Sequence, residues 1–432
     1  MDPVFIFTIV IAVFFGLIAL CTPIFAALGV SSIVGFLLHG GLSSLETIPD
    51  ILHRGLVSYS LLAVPLFIMM GEVMARTSIG ARLFNMFACW LARLPGGLGV
   101  ASVASSAVFG AMSGVSVAGA ATIGRFAIPQ MLQRGYSPSL AGGTVAAAGA
   151  LALLIPPSIG FVLFGEVAGQ SVGKLFVAAV LPAVLLTSMM MAYVVLVAVF
   201  RKDMAPSEER TISRAERWRS LRDIWPAVMI VLLVLGTIYF GIATPTEAAG
   251  IGAIGAFFVA ALYKELSFEL VRKVLRSTVL TSVMILLILA GALMFGHIMT
   301  RLMIPQKIVM FVVSVDQPKW VILSFVLLFL LLVGMVLDIV SIIVITTPIL
   351  MPVITAMGID PIWFGVILIL TCEMAVITPP VGLNLYVIDG IAPDLTIGQI
   401  IRGALPFVGI ELLCILILIA FPEIALFLPS LR

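Results

Sequence analysis

The sequence predicts an all-α polytopic membrane protein made of two inverted-topology repeats, each carrying a re-entrant hairpin and a proline-broken helix. Three observations carry that prediction. Of the 432 residues, 62% are hydrophobic and only 10% are charged, with a mean hydropathy of +1.27. An ordered series of short motifs occurs twice, and the one long polar segment lies between the two occurrences. Soluble domains carry about 25% charged residues, so this chain cannot cover itself with a water-facing surface. A soluble globular enzyme is excluded, and the composition fits a lipid bilayer as solvent. The formal charge of +2 is too balanced to propose nucleic acid as a partner.

The repeat is legible motif by motif. Thr22-Pro23, followed by Ala26, Ala27 and Gly35, recurs as Thr244-Pro245, followed by Ala248, Ala249 and Gly255. Gly71, Met74, Arg76 and Ile79 recur as Gly296, Met299, Arg301 and Ile304, and Pro156-Pro157 recurs as Pro379-Pro380. Gly173 with Leu181-Pro182 answers Gly398 with Leu405-Pro406, and all these offsets fall between 220 and 225 residues. An ordered series at one spacing marks a duplicated unit. We therefore divide the chain into a first repeat over residues 1–200, a polar linker over 201–223 and a second repeat over 224–432.

Each repeat offers about five segments near the length of roughly 20 residues that a transmembrane helix needs. In the first they are 3–21, 23–40, 59–76, 138–168 and 180–200. Met1-Asp2-Pro3 lacks the basic start and small-residue cleavage site of a signal peptide, so 3–21 is read as a retained helix. Residues 45–57, 79–95 and 267–277 mix apolar positions with charges, as interfacial helices do. Segments 98–134 and 320–353 are long enough to enter the bilayer, turn and leave again, which backbone tolerates only when buried in protein or lining a cavity. An odd number of crossings per repeat turns the second upside down. With both termini outside and the linker in the cytoplasm, 16 of the 23 basic residues fall inside and 6 outside, with Arg125 inside the first hairpin. That ratio follows the positive-inside rule.

Inverted repeats with broken helices place ions and substrate at the repeat interface. The first hairpin tip reads Ser113-Gly114-Val115-Ser116 and the second runs from Gly334 to Asp338 and Ser341. Glycine permits the sharp turn, while hydroxyls and a carboxylate supply hard oxygen ligands. Each proline pair removes two backbone donors and drives the preceding residue out of helical geometry, so carbonyls around Ile155, Thr378 and Val381 are freed. Ser158, Thr378 and Asn384 add side-chain oxygens. Charged residues at membrane depth are functional or paired, which singles out Glu72, Glu166, Glu247, Asp338, Glu373, Asp389 and Arg125. Glu373 and Arg125 are equally candidates for structural ion pairs. The four cysteines and three histidines are scattered, so no disulfide and no transition-metal site is expected. No phosphate-binding loop occurs. An intramembrane serine protease using Ser113 or Ser116 lacks a base with a partner motif.

Ser113-Gly-Val-Ser116 with Thr122-Ile-Gly124 and Ile128-Pro129, then Leu154-Ile-Pro-Pro-Ser158, resembles the large membrane subunit of tripartite ATP-independent periplasmic (TRAP) transporters. The second half agrees through Gly334 to Asp338, Thr347-Pro348-Ile-Leu-Met-Pro352 and Ile377-Thr-Pro-Pro-Val-Gly-Leu-Asn384. The resemblance covers almost the whole chain. It implies an elevator-type transporter with a transport domain and a scaffold, in the bacterial inner membrane. The implied activity is sodium-coupled uptake of a small organic acid such as a C4-dicarboxylate or sialic acid. It further implies a periplasmic substrate-binding protein and a small four-helix membrane subunit, expected as a separate chain. Carried over by motif, sodium falls to Ser113, Gly114, Ser116, Gly334, Asp338 and Ser341, and to the break at Ile155, Pro156, Thr378, Pro379 and Val381. Substrate falls to Ser116, Arg125, Ser158 and Asn384. Sodium is the only metal implied, as coupling ion rather than cofactor. The alternative is a stand-alone sodium/carboxylate symporter that needs no binding protein.

Overall fold

The computed structural model describes residues 2–206, 212–315 and 317–431. The middle of the linker, residues 207–211, and the chain ends at 1 and 432 lie outside the described residues. The first half holds α1 (Pro3–Ala19), α2 (Ile24–Gly40), α3 (Ile48–Leu56), α4 (Ala63–Arg76) and α5 (Ile79–Leu91), then α6 (Gly97–Ser113), α7 (Ser116–Gln133), α8 (Pro138–Ala150), α9 (Ile159–Ala168) and α10 (Val172–Phe200). The second holds α11 (Arg214–Tyr239), α12 (Pro245–Leu262), α13 (Phe268–Arg301), α14 (Ile304–Ser314) and α15 (Lys319–Gly334), then α16 (Ile339–Ala356), α17 (Pro361–Val376), α18 (Leu383–Ile391), α19 (Ile397–Ala420) and α20 (Glu423–Ser430). From α5 and α14 onward the two halves run helix for helix in the same order. Their starts match in chemistry too: Ser137 caps α8 ahead of Pro138, and Asp360 caps α17 ahead of Pro361. Each cap satisfies an orphan N–H that the first turn leaves open, and proline loses nothing at that position.

Six helices, α10, α11, α12, α13, α16 and α19, are each long and apolar enough to cross a membrane, and Leu42–Leu56 with Ser60–Arg76 forms a bent pair at 64°. The chain is thus an all-helical, multi-span membrane protein. The segments expected to cross at 3–21 and 23–40 are apolar helices of 17 residues each, or about 26 Å at 1.5 Å per residue. Residues 138–168 are not one helix but α8 and α9 with turns over 151–158 between them. The segment expected at 180–200 begins earlier, at Val172, and carries Pro182 inside it.

One expectation is corrected. Residues 267–277 are not a separate interfacial helix; they open the 34-residue α13. In the first half, Val57-Ser58-Tyr59 interrupts the helix ahead of α4, whereas from Phe268 to Ala290 the sequence holds neither proline nor glycine, so nothing stops helical propagation.

The helices meet closely where side chains are small. A Cβ on Gly403 of α19 would lie 1.7 Å from the Ser139 carbonyl oxygen, and one on Gly143 of α8 would lie 2.0 Å from the Gly403 carbonyl carbon. These two helices touch backbone to backbone. Each hairpin also reaches across the molecule: α7 packs on α18, and α16 packs on α9. The returning arm of each hairpin therefore packs on the broken helix of the other half.

Candidate functional site

The first tip is set by one residue. Gly114 has φ of +61°, the left-handed region that costs glycine nothing, and its N–H closes α6 onto the Gly110 carbonyl at 2.8 Å. A Cβ there would come within 2.8 Å of the Pro157 carbonyl oxygen, and one on Gly71 of α4 within 2.9 Å of the Ser113 carbonyl oxygen. The tip is thus clasped between α4 and the first break. The Ser113 and Ser158 hydroxyls are buried and have no hydrogen-bond partner. Two dry, unpartnered hydroxyls beside a break whose carbonyls have left the helix ladder make an oxygen-rich cradle, which suits a hard monovalent cation. Ile155 and Pro156 line the same break.

The second tip is wired differently. Asp338 caps α16, accepting the Ser341 N–H at 3.2 Å and the Ser341 hydroxyl. Gly334 lies where a Cβ would strike Ala375 of α17 at 2.6 Å. In the second break the Thr378 hydroxyl donates to the Met374 carbonyl at 2.5 Å, Gly382 is left-handed, and Val381 is exposed. Pro379 stands between them. Thr378 and Ser341 thus spend their hydroxyls on their own turns.

The two halves are joined at Asn384. Its Nδ2 donates to the Ser116 hydroxyl at 2.8 Å and to the Ala146 carbonyl at 3.1 Å, and the Ser116 hydroxyl lies 3.0 Å from Asn384 Oδ1. Both side chains are fully or nearly fully buried. The first tip, α8 and the second broken helix are locked by these bonds.

Arg125 is not brought to this cluster. It sits nine residues along α7 from Ser116, about 13 Å at helical rise, facing solvent. It lines a cavity of about 370 Å³ that begins at Ser113 and Val115. A second cavity of about 500 Å³ shares Arg76, Thr122 and Arg125 and reaches Glu265 and Lys273. Together they form one vestibule below the first tip. Arg76 is held there by Glu72 at 2.8 Å.

Among the charges singled out by depth, Glu72 also accepts from Ser277 at 2.7 Å, Glu166 accepts from Ser58 at 2.8 Å, and Glu247 closes the capping box of α12 with Thr244. Glu373 pairs with a backbone N–H, that of Leu154, and not with Arg125. Asp389 is exposed. The sequence reading missed Glu411, the one acid inside the otherwise apolar run of α19. Its isolation in that run is the signal that marks it.

The family model for the tripartite ATP-independent periplasmic transporter, DctM component, matches residues 11–424. The C4-dicarboxylate TRAP transporter large permease protein DctM of Pseudomonas aeruginosa is 36% identical over 373 residues, 86% of each chain. The isethionate TRAP transporter permease protein DctMQ of Oleidesulfovibrio alaskensis is 33% identical over 427 residues, which cover 96% of this chain and 66% of that one. Among solved structures, the YdaH transporter of Alcanivorax borkumensis has the same fold at a TM-score of 0.63 and 17% identity, with 93% of this chain and 98% of that one covered. The chain is a transporter permease rather than an enzyme, and it belongs to the DctM component family of tripartite ATP-independent periplasmic transporters.

Proposed function

We propose that the protein carries out sodium-coupled, secondary active uptake of a small organic acid across the bacterial inner membrane, receiving it from a periplasmic binding protein. The observation that carries the sodium is the pair of buried, unpartnered hydroxyls of Ser113 and Ser158 beside the first break. Neutral oxygens around a dry cradle favour a monovalent cation, and the cation would give the neighbouring tip the positive charge that an incoming carboxylate needs. Ser116 and Asn384 are then the substrate contacts nearest the cradle, with their mutual hydrogen bonds exchanged for bonds to the acid. Asp338 and Ser341, with Gly334, Thr378, Pro379 and Val381, form the second ion site. Arg125 acts from the vestibule.

The two tips and both breaks form one body, and we assign its movement against α1, α2, α4 and α11–α13 as an elevator between the two faces. The matched order of helices supports two inverted repeats, with both termini periplasmic and the central linker cytoplasmic. A small four-helix membrane subunit is the second partner; a relative that carries the name DctMQ is about half as long again as this chain. The substrate is a small organic anion, as the names of the C4-dicarboxylate and isethionate relatives suggest.

Sodium and substrate affinities must be linked by the same factor in both directions. Uptake of succinate or isethionate into proteoliposomes holding this chain and its small subunit is the test, with and without a sodium gradient and the binding protein. Uptake that needs both supports the reading. Uptake without the binding protein makes the protein a stand-alone symporter, and uptake indifferent to sodium removes the coupling ion.

A further inference from the structure

Away from the tips, the membrane body buries two more carboxylates. Glu373 of α17 and Glu411 of α19 are both fully shielded from solvent, and their helices pack on each other. Glu373 Oε1 accepts the Leu154 N–H at 2.8 Å. Its Oε2 and both oxygens of Glu411 have no hydrogen-bond partner. The two side chains are close enough to act on each other through space, and among the described residues no lysine or arginine pairs with either.

Few ionisable groups reach the pair. Cys414, one turn along α19, lies near both carboxylates, and Cys372 lies near Glu373 and Asp338. Tyr193 of α10 packs edge-on against Phe407, one turn before Glu411. On the other helices against α17 and α19, Glu166 is taken by Ser58, and α8 has no ionisable residue. Lys174, Lys319, Tyr386 and Asp389 are exposed, as are Arg402 and Glu423.

A carboxylate sealed from water with nothing donating to it is expensive, and a second one within electrostatic reach raises the cost. One proton eases both problems: it removes a charge and supplies a donor to a pair that otherwise only accepts. A transition-metal ion fits poorly, because no group of three or more His, Cys, Asp or Glu side chains gathers among the described residues. The duplication does not explain the pair either. By the motif spacing the first repeat has Ala150 opposite Glu373 and Leu186-Thr187 opposite Glu411, so neither carboxylate belongs to the shared architecture.

We propose that Glu373 and Glu411 form a proton-binding site inside the body that carries both broken helices, sharing a proton that the sodium-competent state requires. The link to sodium is the Leu154 N–H, which Glu373 holds at the entrance to the first break. Loss of the proton drives the carboxylates apart and pulls on the turn that carries Ser158. The effect on transport rests on the function proposed above, whereas the site itself does not.

The test takes the purified full chain and its Glu373→Gln and Glu411→Gln variants, which keep side-chain size and remove the ionisable group. Infrared difference spectra of parent minus each variant at neutral pH should show the carbonyl stretch of a protonated carboxylic acid. In proteoliposomes, the sodium concentration for half-maximal uptake should rise severalfold for the parent from mildly acidic to mildly alkaline pH, and stay flat for Glu411→Gln. Absence of the carboxylic-acid band from both difference spectra overturns the proposal. So does a Glu411→Gln pH profile that coincides with the parent's. Should one variant fail to fold, the other alone decides the band. A parent that does not couple to sodium refutes the transport reading and leaves the band to decide the proton site.

Discussion

Ser113 and Asn384 lie within one cluster, yet their hydrogen-bond states are opposite, and substitution should separate them. The Ser113 hydroxyl is buried without a partner, so Ser113→Ala strands nothing and leaves the melting temperature near the parent's. If the hydroxyl ligates sodium, its loss should raise the sodium concentration for half-maximal uptake about tenfold, the effect of losing roughly 1.4 kcal/mol of a charge-assisted contact. A titration indistinguishable from the parent's removes Ser113 from the ion site. Asn384→Ala leaves Ser116 and the Ala146 carbonyl unpaired in a dry setting, at a cost of about 1–3 kcal/mol. That should appear as a lower melting temperature before any question of transport arises. Asp338 calls for a third kind of change. Asparagine caps a helix as well as aspartate does, so Asp338→Asn keeps the turn with Ser341 and removes only the charge. Weakened sodium dependence with unchanged melting would assign the carboxylate to the ion, whereas unchanged sodium dependence would leave it as a cap.

At the scale of elements, packing rather than pattern decides what a glycine is for. Gly403 and Gly409 lie on the same helix, α19. A Cβ on Gly403 would overlap the Ser139 carbonyl oxygen at 1.7 Å, while one on Gly409 meets nothing within 4 Å. Gly403→Ala should force α8 and α19 apart and cost about 3 kcal/mol, the upper end for overpacking. Gly409→Ala should be neutral or stabilise by up to about 1 kcal/mol through helix propensity. Thermal melting of the two variants side by side checks the contrast, and equal effects would refute the close approach of α8 and α19. Nothing in the sequence separates these two glycines. The proline pairs and the Ser113-Gly114 tip were legible because proline and left-handed glycine act through the local backbone. The placement of Arg125 away from the tips and the burial of Glu411 beside Glu373 are set by partners far along the chain, which periodicity and spacing do not name.

For the whole molecule, the sharpest consequence of inverted repeats is that equivalent positions lie on opposite sides of the membrane. Gly41 follows α2, and Tyr263 follows the matching helix α12. The charges after them already differ: from Gly41 to Tyr59 the only lysine or arginine is Arg54, whereas Lys264, Arg272, Lys273 and Arg276 follow Tyr263 closely. The positive-inside rule therefore predicts the first loop outside and the second inside. The tryptophans of the neighbouring helices agree with a cytoplasmic boundary near the second loop. Trp90 packs edge-on against Trp218 at the start of α11, both are exposed, and Tyr263 donates to the Asp223 carbonyl at 2.6 Å. Alkaline phosphatase, active only in an oxidising periplasm, should be active when fused after Gly41 and silent when fused after Tyr263. A fluorescent protein that matures only in the cytoplasm should give the reverse. Parallel repeats would return the same reporter from both positions, and that result would dismantle the inverted arrangement together with the placement of the linker in the cytoplasm. Opposite reporters would give the two tips opposite approaches to the site, which an elevator needs if one body is to open first to one face and then to the other.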